Sequence, residues 1–311
     1  MIRHPETELG RIGHWTIVYS IFFLFLFSGC TDSQPDTTAR VDALNRSVHV
    51  PATVQSVSSL APSVTETIYA AHAASKLVSV TTVDNFPDEV RELTMINSFP
   101  LDIEGLVSLK PDLIIASDQV NRVDEAERLA ELGLPVFFLS SNSIEGILEN
   151  IETVADILSS PAGREQAQLL RDAVEMISSR VSEANETHPS VLILIDYKEL
   201  YAFGQGSYVH EIVRRAGGTS VTDHFSVTNP VLSEEFVLRT NPDIIVGTFG
   251  TAFEIEDLLS IRPTWSSLAA VKNNKVFNIN PDILLRPGPR TVDALAIMAN
   301  WITPTAFQTT I

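Results

Sequence analysis

The sequence predicts an α/β fold in which two lobes are joined by one long helix and enclose a ligand cleft between them. Short β-rich segments alternate with helical segments from Val54 onward, one uninterrupted amphipathic segment divides this alternation into two sets, and a similar helix–turn–strand segment occurs in each set. Such alternation is typical of βαβ units with a largely parallel sheet. A chain of 311 residues is long enough for two lobes with real cores.

The first lobe is predicted to span residues 53–160. Its β-rich segments are bounded by polar turns, and the segments between them carry apolar residues at helical spacing. Strands are predicted at 54–60, 77–82, 112–117 and 136–140, and helices at 63–71, 103–109, 123–132 and 143–158.

A bridging helix is predicted at residues 161–187. Ala167, Val174 and Val181 mark an apolar stripe at helical spacing, and the segment 163–186 contains no interior proline or glycine.

The second lobe is predicted to span residues 188–311, with Trp265 packed inside it. Strands are predicted at 191–196, 200–204, 243–248 and 275–280, and helices at 208–216, 233–239, 254–259 and 291–301. Both lobes are therefore expected to be Rossmann-like, with mostly parallel sheets flanked by helices.

The segments 103–117 and 234–248 align without gaps, so that Pro111 matches Pro242 and Asp112 matches Asp243. Two interpretations stay open. Helix–loop–strand units can converge on Pro-Asp turns because proline ends helices and Asp suits turns, or the two lobes can be structural duplicates.

The composition is that of a folded acidic protein. Hydrophobic residues make up 44% of the chain and charged residues 19%, which argues against a disordered chain. The 21 basic and 39 acidic residues give a formal net charge of −18, which repels phosphate backbones. Nucleic acid is therefore not an expected partner.

Residues 1–29 have the layout of a secretory signal peptide. A modestly basic start precedes an apolar stretch at 15–27, and Ser28 and Gly29 lead into Cys30, the single cysteine of the chain. A transmembrane anchor is the alternative, although the stretch is shorter than the roughly 20 residues a spanning helix needs.

Ser-Gly-Cys after such a stretch resembles the lipobox of bacterial lipoproteins, with Phe27 at a position where leucine is usual. The resemblance implies cleavage before Cys30 and acylation of its sulfur, which would anchor the chain to a membrane. A free thiol after an ordinary signal peptide is the alternative. Residues 30–52 are expected to comprise this lipidated cysteine and a flexible polar tether.

Three segments at 59–71, 76–87 and 103–117, followed by the closing segment 263–295 with its run LLRPGPR, resemble the helix-bridged (class III) substrate-binding proteins of ABC importers for metal chelates. The run is closest to the cobalamin-binding branch, and the resemblance covers roughly residues 54–303. It implies a monomer outside the cytoplasm that captures cobalamin or a related corrinoid and delivers it to an ABC permease dimer, with small hinge motion between rigid lobes. An iron–siderophore or haem binder of the same class is the alternative.

The resemblance also assigns roles to individual residues. Glu104 and Glu235, one on each lobe, match glutamates that pair with arginines of the two permease copies. Each also falls in the first turn of a predicted helix, after Asp102 and Ser233 respectively, where the helix dipole alone would favour a glutamate. Both interpretations stay open.

Val83, Phe99, Tyr201 and Asn229 match cleft positions at which cobalamin binders typically carry aromatic side chains. Phe99 and Tyr201 keep that character, whereas Val83 and Asn229 do not, which puts the ligand rather than the fold in question. The alternative for Phe99 is a position in the core.

Arg286 and Tyr208 complete the predicted ligand site. Arg286 lies in a Pro/Gly-rich loop, where a guanidinium can face a carboxylate or an amide-rich ligand, or else pair with Asp282 or Asp293. Tyr208 opens a helix behind Gly206 and could offer its hydroxyl and backbone N–H groups to the cleft.

No cofactor or protein-bound metal is expected beyond the carried chelate, because the seven histidines include no pair at metal-ligand spacing within one helix or loop. An envelope hydrolase or oxidoreductase on an α/β frame is the hypothesis from another class. GQGS at 204–207 is neither a nucleophile elbow nor a dinucleotide loop, and no Ser/His/Asp set can be nominated from the sequence. No catalysis is expected.

Overall fold

The computed structural model describes Met1, residues 36–184 and residues 187–308. The predicted signal peptide beyond Met1, the lipidation site Cys30 and the start of the tether lie outside the described residues.

Residues 37–51 form a β-hairpin, so the prediction of a flexible tether over residues 30–52 is wrong for this part. Strands β1 (Thr37–Val41) and β2 (Ser47–Pro51) pair antiparallel. Val48 and Val50 are buried, because their period-2 alternation turns one face of β2 towards the first lobe. The hairpin also bonds to that lobe, where the Ala43 N–H donates to the Phe138 carbonyl at 3.1 Å.

The first lobe contains a parallel sheet with the strand order β5-β4-β3-β6-β7. Its strands are β3 (Val57–Ser59), β4 (Leu77–Thr81), β5 (Thr94–Ile96), β6 (Leu113–Ser117) and β7 (Val136–Leu139). Its helices are α1 (Pro62–Ala70), α2 (Ile103–Leu109), α3 (Val123–Glu131) and α4 (Ile144–Ile157), with 3₁₀ turns at Ala74–Lys76 and Asp88–Glu92.

The bridging helix, α5 (Ala162–Ala184), connects the lobes as predicted. The second lobe has the strand order β10-β8-β11-β12, all parallel, with β9 antiparallel to β8. Its strands are β8 (Ser190–Asp196), β9 (Tyr201–Ala202), β10 (Thr219–Ser220), β11 (Ile244–Gly247) and β12 (Val276–Asn278). Its helices are α6 (Tyr208–Arg215), α7 (Glu234–Thr240), α8 (Ile255–Ile261), α9 (Ala269–Lys272), α10 (Pro281–Leu284) and α11 (Thr291–Ile302), with 3₁₀ turns at Pro263–Ser267 and Pro304–Phe307.

One continuous apolar core crosses both lobes through the bridging helix. It joins Val57 and Ile115 of the first sheet to Val191 and Ile244 of the second, with Val174 of α5 between them. The outer face of each sheet packs against a smaller cluster of its own, and Trp265 is fully buried in that of the second lobe, as predicted. A shared close-packed core resists large lobe rotations because moving it would open voids.

The two matching segments have the same local structure. Helices α2 and α7 both end in a left-handed residue, Lys110 and Asn241, before a central strand begins. At the start of that strand, Asp112 accepts hydrogen bonds from the backbone N–H groups of Gln55 and Ser56, and Asp243 accepts from the N–H and hydroxyl of Ser190. The correspondence therefore extends to hydrogen bonding, beyond a shared turn.

Candidate ligand-binding cleft

The carboxyl ends of the parallel strands of both lobes border a cavity of about 360 Å³, named here the cleft cavity. This is where α/β proteins usually bind ligands, because strand ends bring several loops to one edge. The first lobe lines it with Ala61, Pro62, Ser63, Ser117, Gln119, Val120 and Asn142. The second lobe lines it with Ile195, Phe203, Gly206, Ser207, Tyr208, Thr228, Asn229, Leu285, Arg286 and Pro287.

Three of the six predicted ligand residues line this cavity: Tyr208, Asn229 and Arg286. The prediction that Tyr208 offers its hydroxyl to a ligand is wrong, since that hydroxyl donates a hydrogen bond to the Leu284 carbonyl. Only 7% of Tyr208 is exposed, and burial raises the pKa of its phenol well above the ordinary value. The Tyr208 ring therefore contributes to the wall of the cavity, and its hydroxyl does not serve as a donor to a ligand.

The other three predicted residues lie outside the lining but at the same edge of the sheets. Phe99 is 85% exposed in the loop after β5, Val83 is 57% exposed after β4, and Tyr201 is 42% exposed on β9. The alternative of a core position for Phe99 is thus excluded. We name the exposed apolar side chains at this edge the cleft rim; its members are Val83, Phe86, Phe99, Val120, Tyr201, Val227 and Val231.

Arg286 bridges the two lobes. Its guanidinium pairs with Asp282 at 2.9 Å within the second lobe. It also donates to the Asn85 side-chain oxygen at 2.6 Å and to the Val83 carbonyl at 3.2 Å in the first lobe. Of the two aspartates weighed as structural partners, the structure selects Asp282.

A buried ion pair lies behind Arg286. Glu66 on α1 accepts two hydrogen bonds from Arg290, at 2.8 and 2.6 Å, and its side chain is 2% exposed. The Arg290 guanidinium also covers the Phe86 ring, 4.3 Å from its centroid. Burial raises the pKa of Glu66, although Arg290 and Arg286 both act to lower it. We name the group Glu66, Asn85, Asp282, Arg286 and Arg290 the interlobe clasp.

The wall of the cleft cavity carries no uncompensated charge among its described residues. Arg286 is the one ionisable group there that is charged at neutral pH, and it is paired with Asp282 and lies 3.8 Å from Glu66. The remaining polar groups are hydroxyls and amides, with Ser63, Gln119 and Asn229 as examples. Such a wall suits an uncharged ligand that is rich in hydrogen-bonding groups.

A second, polar cavity of about 550 Å³ adjoins the first and shares Asn142, Gly206 and Ser207 with it. Its wall contains a Ser/His/Asp set that sequence analysis did not find. His210 Nε2 lies 3.1 Å from the Ser220 hydroxyl, and His210 Nδ1 lies 3.0 Å from Asp223. Burial lowers the pKa of His210, with Asp223 opposing. Ser220 is only 6% exposed, and its hydroxyl also contacts that of Thr222 at 2.9 Å.

Glu104 and Glu235 are exposed in the first turns of α2 and α7. The predicted caps are present: Asp102 accepts from the Gly105 N–H, and Ser233 accepts from the Phe236 N–H. Glu235 is 87% exposed and lies 3.9 Å from Arg239, a weak surface pair.

Most of the remaining residues that line the cleft cavity were not predicted from the sequence. A signal was available for Ser117, Gln119 and Asn142, because these follow predicted strands and strand ends meet at the ligand edge. It was not available for Phe203 or Thr228, whose positions depend on how the 222–232 loop folds back onto β9.

Within the described ranges, no His, Cys, Asp and Glu side chains form a set of three or more that could hold a metal ion. In the same part of the chain, no helix has both the length and the apolar character that crossing a membrane requires.

Comparison with known proteins finds a matching family and several relatives of similar length. The family described as "Periplasmic binding protein" matches residues 57–283. The vitamin B12-binding protein of Vibrio cholerae serotype O1 is 30% identical over 81% of this chain and 90% of its own length. An uncharacterized ABC transporter substrate-binding lipoprotein of Bacillus subtilis, YvrC, is 25% identical over 96% of this chain and 99% of its own.

The solved structures agree. The periplasmic vitamin B12 binding protein BtuF of Vibrio cholerae has a TM-score of 0.72 at 27% identity, covering 82% of this chain and 99% of that one. The periplasmic haem-binding protein RhuT of Roseiflexus has a TM-score of 0.71 at 23% identity, covering 81% and 99%, which shows the fold alone. The predicted two-lobe fold and the resemblance to helix-bridged binding proteins are confirmed: the chain belongs to the periplasmic binding protein family and is a substrate-binding protein of the ABC importer class.

Proposed function

We propose that this protein captures cobalamin or a related corrinoid in the cleft between its lobes and delivers it to the permease of an ABC importer. The observation that carries the proposal is the wall of the cleft cavity, which combines apolar surface with hydroxyl and amide groups and has no uncompensated charge among its described residues. Corrinoids such as cyanocobalamin present a ring of uncharged amide groups, which such a wall can bind by hydrogen bonds. The vitamin B12-binding relatives support the same ligand class.

The cleft rim supports a large, flat ligand. Phe99 and Tyr201 supply aromatic faces at the edge of the cleft, and a corrin ring offers a broad apolar surface for them to cover. A corrinoid is larger than the 360 Å³ cavity, so it would extend from the cavity onto this rim.

The alternative ligands would need other side chains in the cleft. An anionic ferric siderophore is best held by several free arginines, whereas the one arginine among the described lining residues is paired with Asp282. A haem iron needs a side chain aimed at it, for which His210 and Tyr201 are the candidates. Both ring nitrogens of His210 already have partners, Ser220 and Asp223. Tyr201 lies on the cleft rim outside the cavity lining.

The deciding experiment is equilibrium binding of the purified protein to cyanocobalamin, haem and ferric siderophores, followed by intrinsic fluorescence quenching and checked by calorimetry. We expect saturable binding of cyanocobalamin. Binding of haem or a siderophore alone would replace the corrinoid by that ligand.

We further propose that the protein acts at the outer face of a membrane, attached by lipid on Cys30. The lipobox-like sequence and the similarity to a substrate-binding lipoprotein support this. Mass spectrometry of the mature protein should find an N-terminal Cys30 that carries acyl chains, and Cys30→Ser should lack this lipid mass. A mature N-terminal cysteine without added acyl mass would contradict the proposal.

The proposal includes no catalysis. Ser220 is nearly inaccessible and shares its hydroxyl with Thr222, so the Ser220–His210–Asp223 set supports packing of the second lobe better than it supports nucleophilic attack. Incubation with activated esters and with a fluorophosphonate probe tests this. Steady ester turnover that Ser220→Ala abolishes would revive the enzyme hypothesis.

A further inference from the structure

We propose that the interlobe clasp determines ligand selectivity: Glu66 and Asp282 neutralise the arginines beside the cleft and thereby exclude anionic ligands. The inference deepens the proposed function and depends on it for the ligand class. It concerns residues that do not themselves need to touch the ligand, since neither Glu66 nor Asp282 lines the cleft cavity.

Arg286 places a positive charge beside the cleft cavity. Arg286 lines the cleft cavity, so a ligand bound there lies beside a cationic side chain. Its side chain is 16% exposed, and a partly desolvated guanidinium attracts anions more strongly than one in bulk water. Left unpaired, Arg286 would favour an anionic ligand.

The charge of Arg286 is compensated by Asp282. Asp282 pairs with Arg286 at 2.9 Å and is held in place by the Asn85 amide, which donates to it at 2.8 Å. Asn85 contacts both partners, because its side-chain oxygen accepts from Arg286 at 2.6 Å. A ligand carboxylate must therefore displace a partner that is already positioned.

Glu66 compensates the charge of the second arginine, Arg290. It holds Arg290 through two hydrogen bonds and lies 3.8 Å from Arg286, so one buried carboxylate faces two guanidinium groups. The clasp contains two acidic side chains, Glu66 and Asp282, and two basic ones, so its formal charges sum to zero. This compensation requires contact between the lobes, because Glu66 and Asn85 belong to the first lobe and the other three residues to the second.

The inference predicts that removal of one clasp carboxylate changes ligand preference rather than simply weakening binding. Asp282→Asn is the primary variant, since Asp282 is 29% exposed and its loss leaves the buried Glu66–Arg290 pair intact. Glu66→Gln is the second variant. Asp156→Asn is the matched control, because it removes the same charge from an Arg–Asp pair that joins α4 to α5, with Arg164 as the partner at 2.6 Å.

The probes are cyanocobalamin and its monocarboxylates, in which one peripheral amide is hydrolysed to a carboxylate, together with haem as an anion of a different ring. The full chain is titrated with each probe by fluorescence quenching, and circular dichroism checks that each variant is folded. We expect the ratio of carboxylate to amide affinity to rise on the order of tenfold in Asp282→Asn, as for a gained hydrogen bond to a charged group. The control variant should leave the ratio unchanged.

Adding Arg286→Met to Asp282→Asn should abolish the gain, because the freed guanidinium is its cause. An unchanged ratio in folded Asp282→Asn, or a gain that survives loss of Arg286, would overturn the inference. If the native protein binds no cyanocobalamin, the proposed function fails by itself; a rise in haem affinity in Asp282→Asn would still uphold the role of the clasp, and its absence would overturn that role too.

Discussion

The interlobe clasp and the cleft rim lie at the same edge of the two sheets and are built in opposite ways. The clasp consists of charged and amide side chains that bond across the lobes, and Glu66 within it is almost completely buried. The rim consists of apolar side chains that are 42–85% exposed. Buried polar groups that are fully paired fix a geometry, whereas exposed apolar groups gain free energy only when something covers them. The clasp therefore stabilises the lobe arrangement, and the rim is the surface left for a ligand.

The largest loss of stability is expected for removal of the buried carboxylate of the clasp. Glu66→Ala leaves the Arg290 guanidinium without its buried carboxylate, which typically costs about 3–5 kcal/mol in the free energy of unfolding. Urea denaturation followed by circular dichroism measures the loss. The control is Glu235→Ala, whose exposed pair with Arg239 at 3.9 Å should be worth no more than about 1 kcal/mol. Equal losses in both variants would contradict the assigned role of the clasp.

The rim should show the reverse behaviour. Phe99→Ala and Tyr201→Ala should each weaken cyanocobalamin binding by about 1.5 kcal/mol, roughly tenfold, because each removes apolar surface that the ligand covers. Stability should change by less than about 0.5 kcal/mol, since both side chains are exposed in the free protein. Calorimetric titration and urea denaturation measure the two effects. Leu132→Ala, at the exposed end of α3, is the control that should affect neither.

The two regions also differ in how far sequence could predict them. The helices α1, α3, α4 and α11 agree with prediction to within one residue at each end, because their apolar residues recur at helical spacing. The strands β5 and β10, of three and two residues, were missed, whereas the equally short β3 and β12 were predicted because they lie within longer β-rich segments. The hairpin β1–β2 was missed because only two valines mark its buried face.

Three of the seven rim residues, Val83, Phe99 and Tyr201, were predicted, because the family resemblance selected them. Of the clasp, only the pair of Arg286 with Asp282 was among the predicted alternatives. The central pair of the clasp joins Glu66 to Arg290, more than two hundred positions apart, and local periodicity contains no information about such a contact. Arg286 was found, but its partner in the other lobe, Asn85, was not.

A pH dependence should distinguish the clasp from the rim, which contains no carboxyl group. Burial raises the pKa of Glu66 above its ordinary value of 4.5, so the folded chain binds this proton more tightly than the unfolded chain. The corresponding stability is present below pH 4.5 and is lost as pH rises through the folded pKa. The stability of the native protein relative to Glu66→Gln should therefore fall as pH rises across this window, as measured by urea denaturation at each pH. A rise instead would mean that Arg290 and Arg286 outweigh burial.

The smallest effects on binding and stability are expected at Glu104 and Glu235, which belong to neither region. Glu104→Gln with Glu235→Gln should leave cyanocobalamin affinity unchanged and cost at most about 1 kcal/mol of stability per site, the usual value of a first-turn glutamate at a helix N-terminus. If these side chains dock to the permease, uptake into vesicles that contain the cognate importer should nevertheless drop strongly, because exposed charge pairs govern encounter more than folding. Glu165→Gln, at an exposed first-turn position of α5, is the matched control. Uptake reduced equally by the control, or unaffected by the double variant, would leave the helix dipole as the sufficient reason for both glutamates.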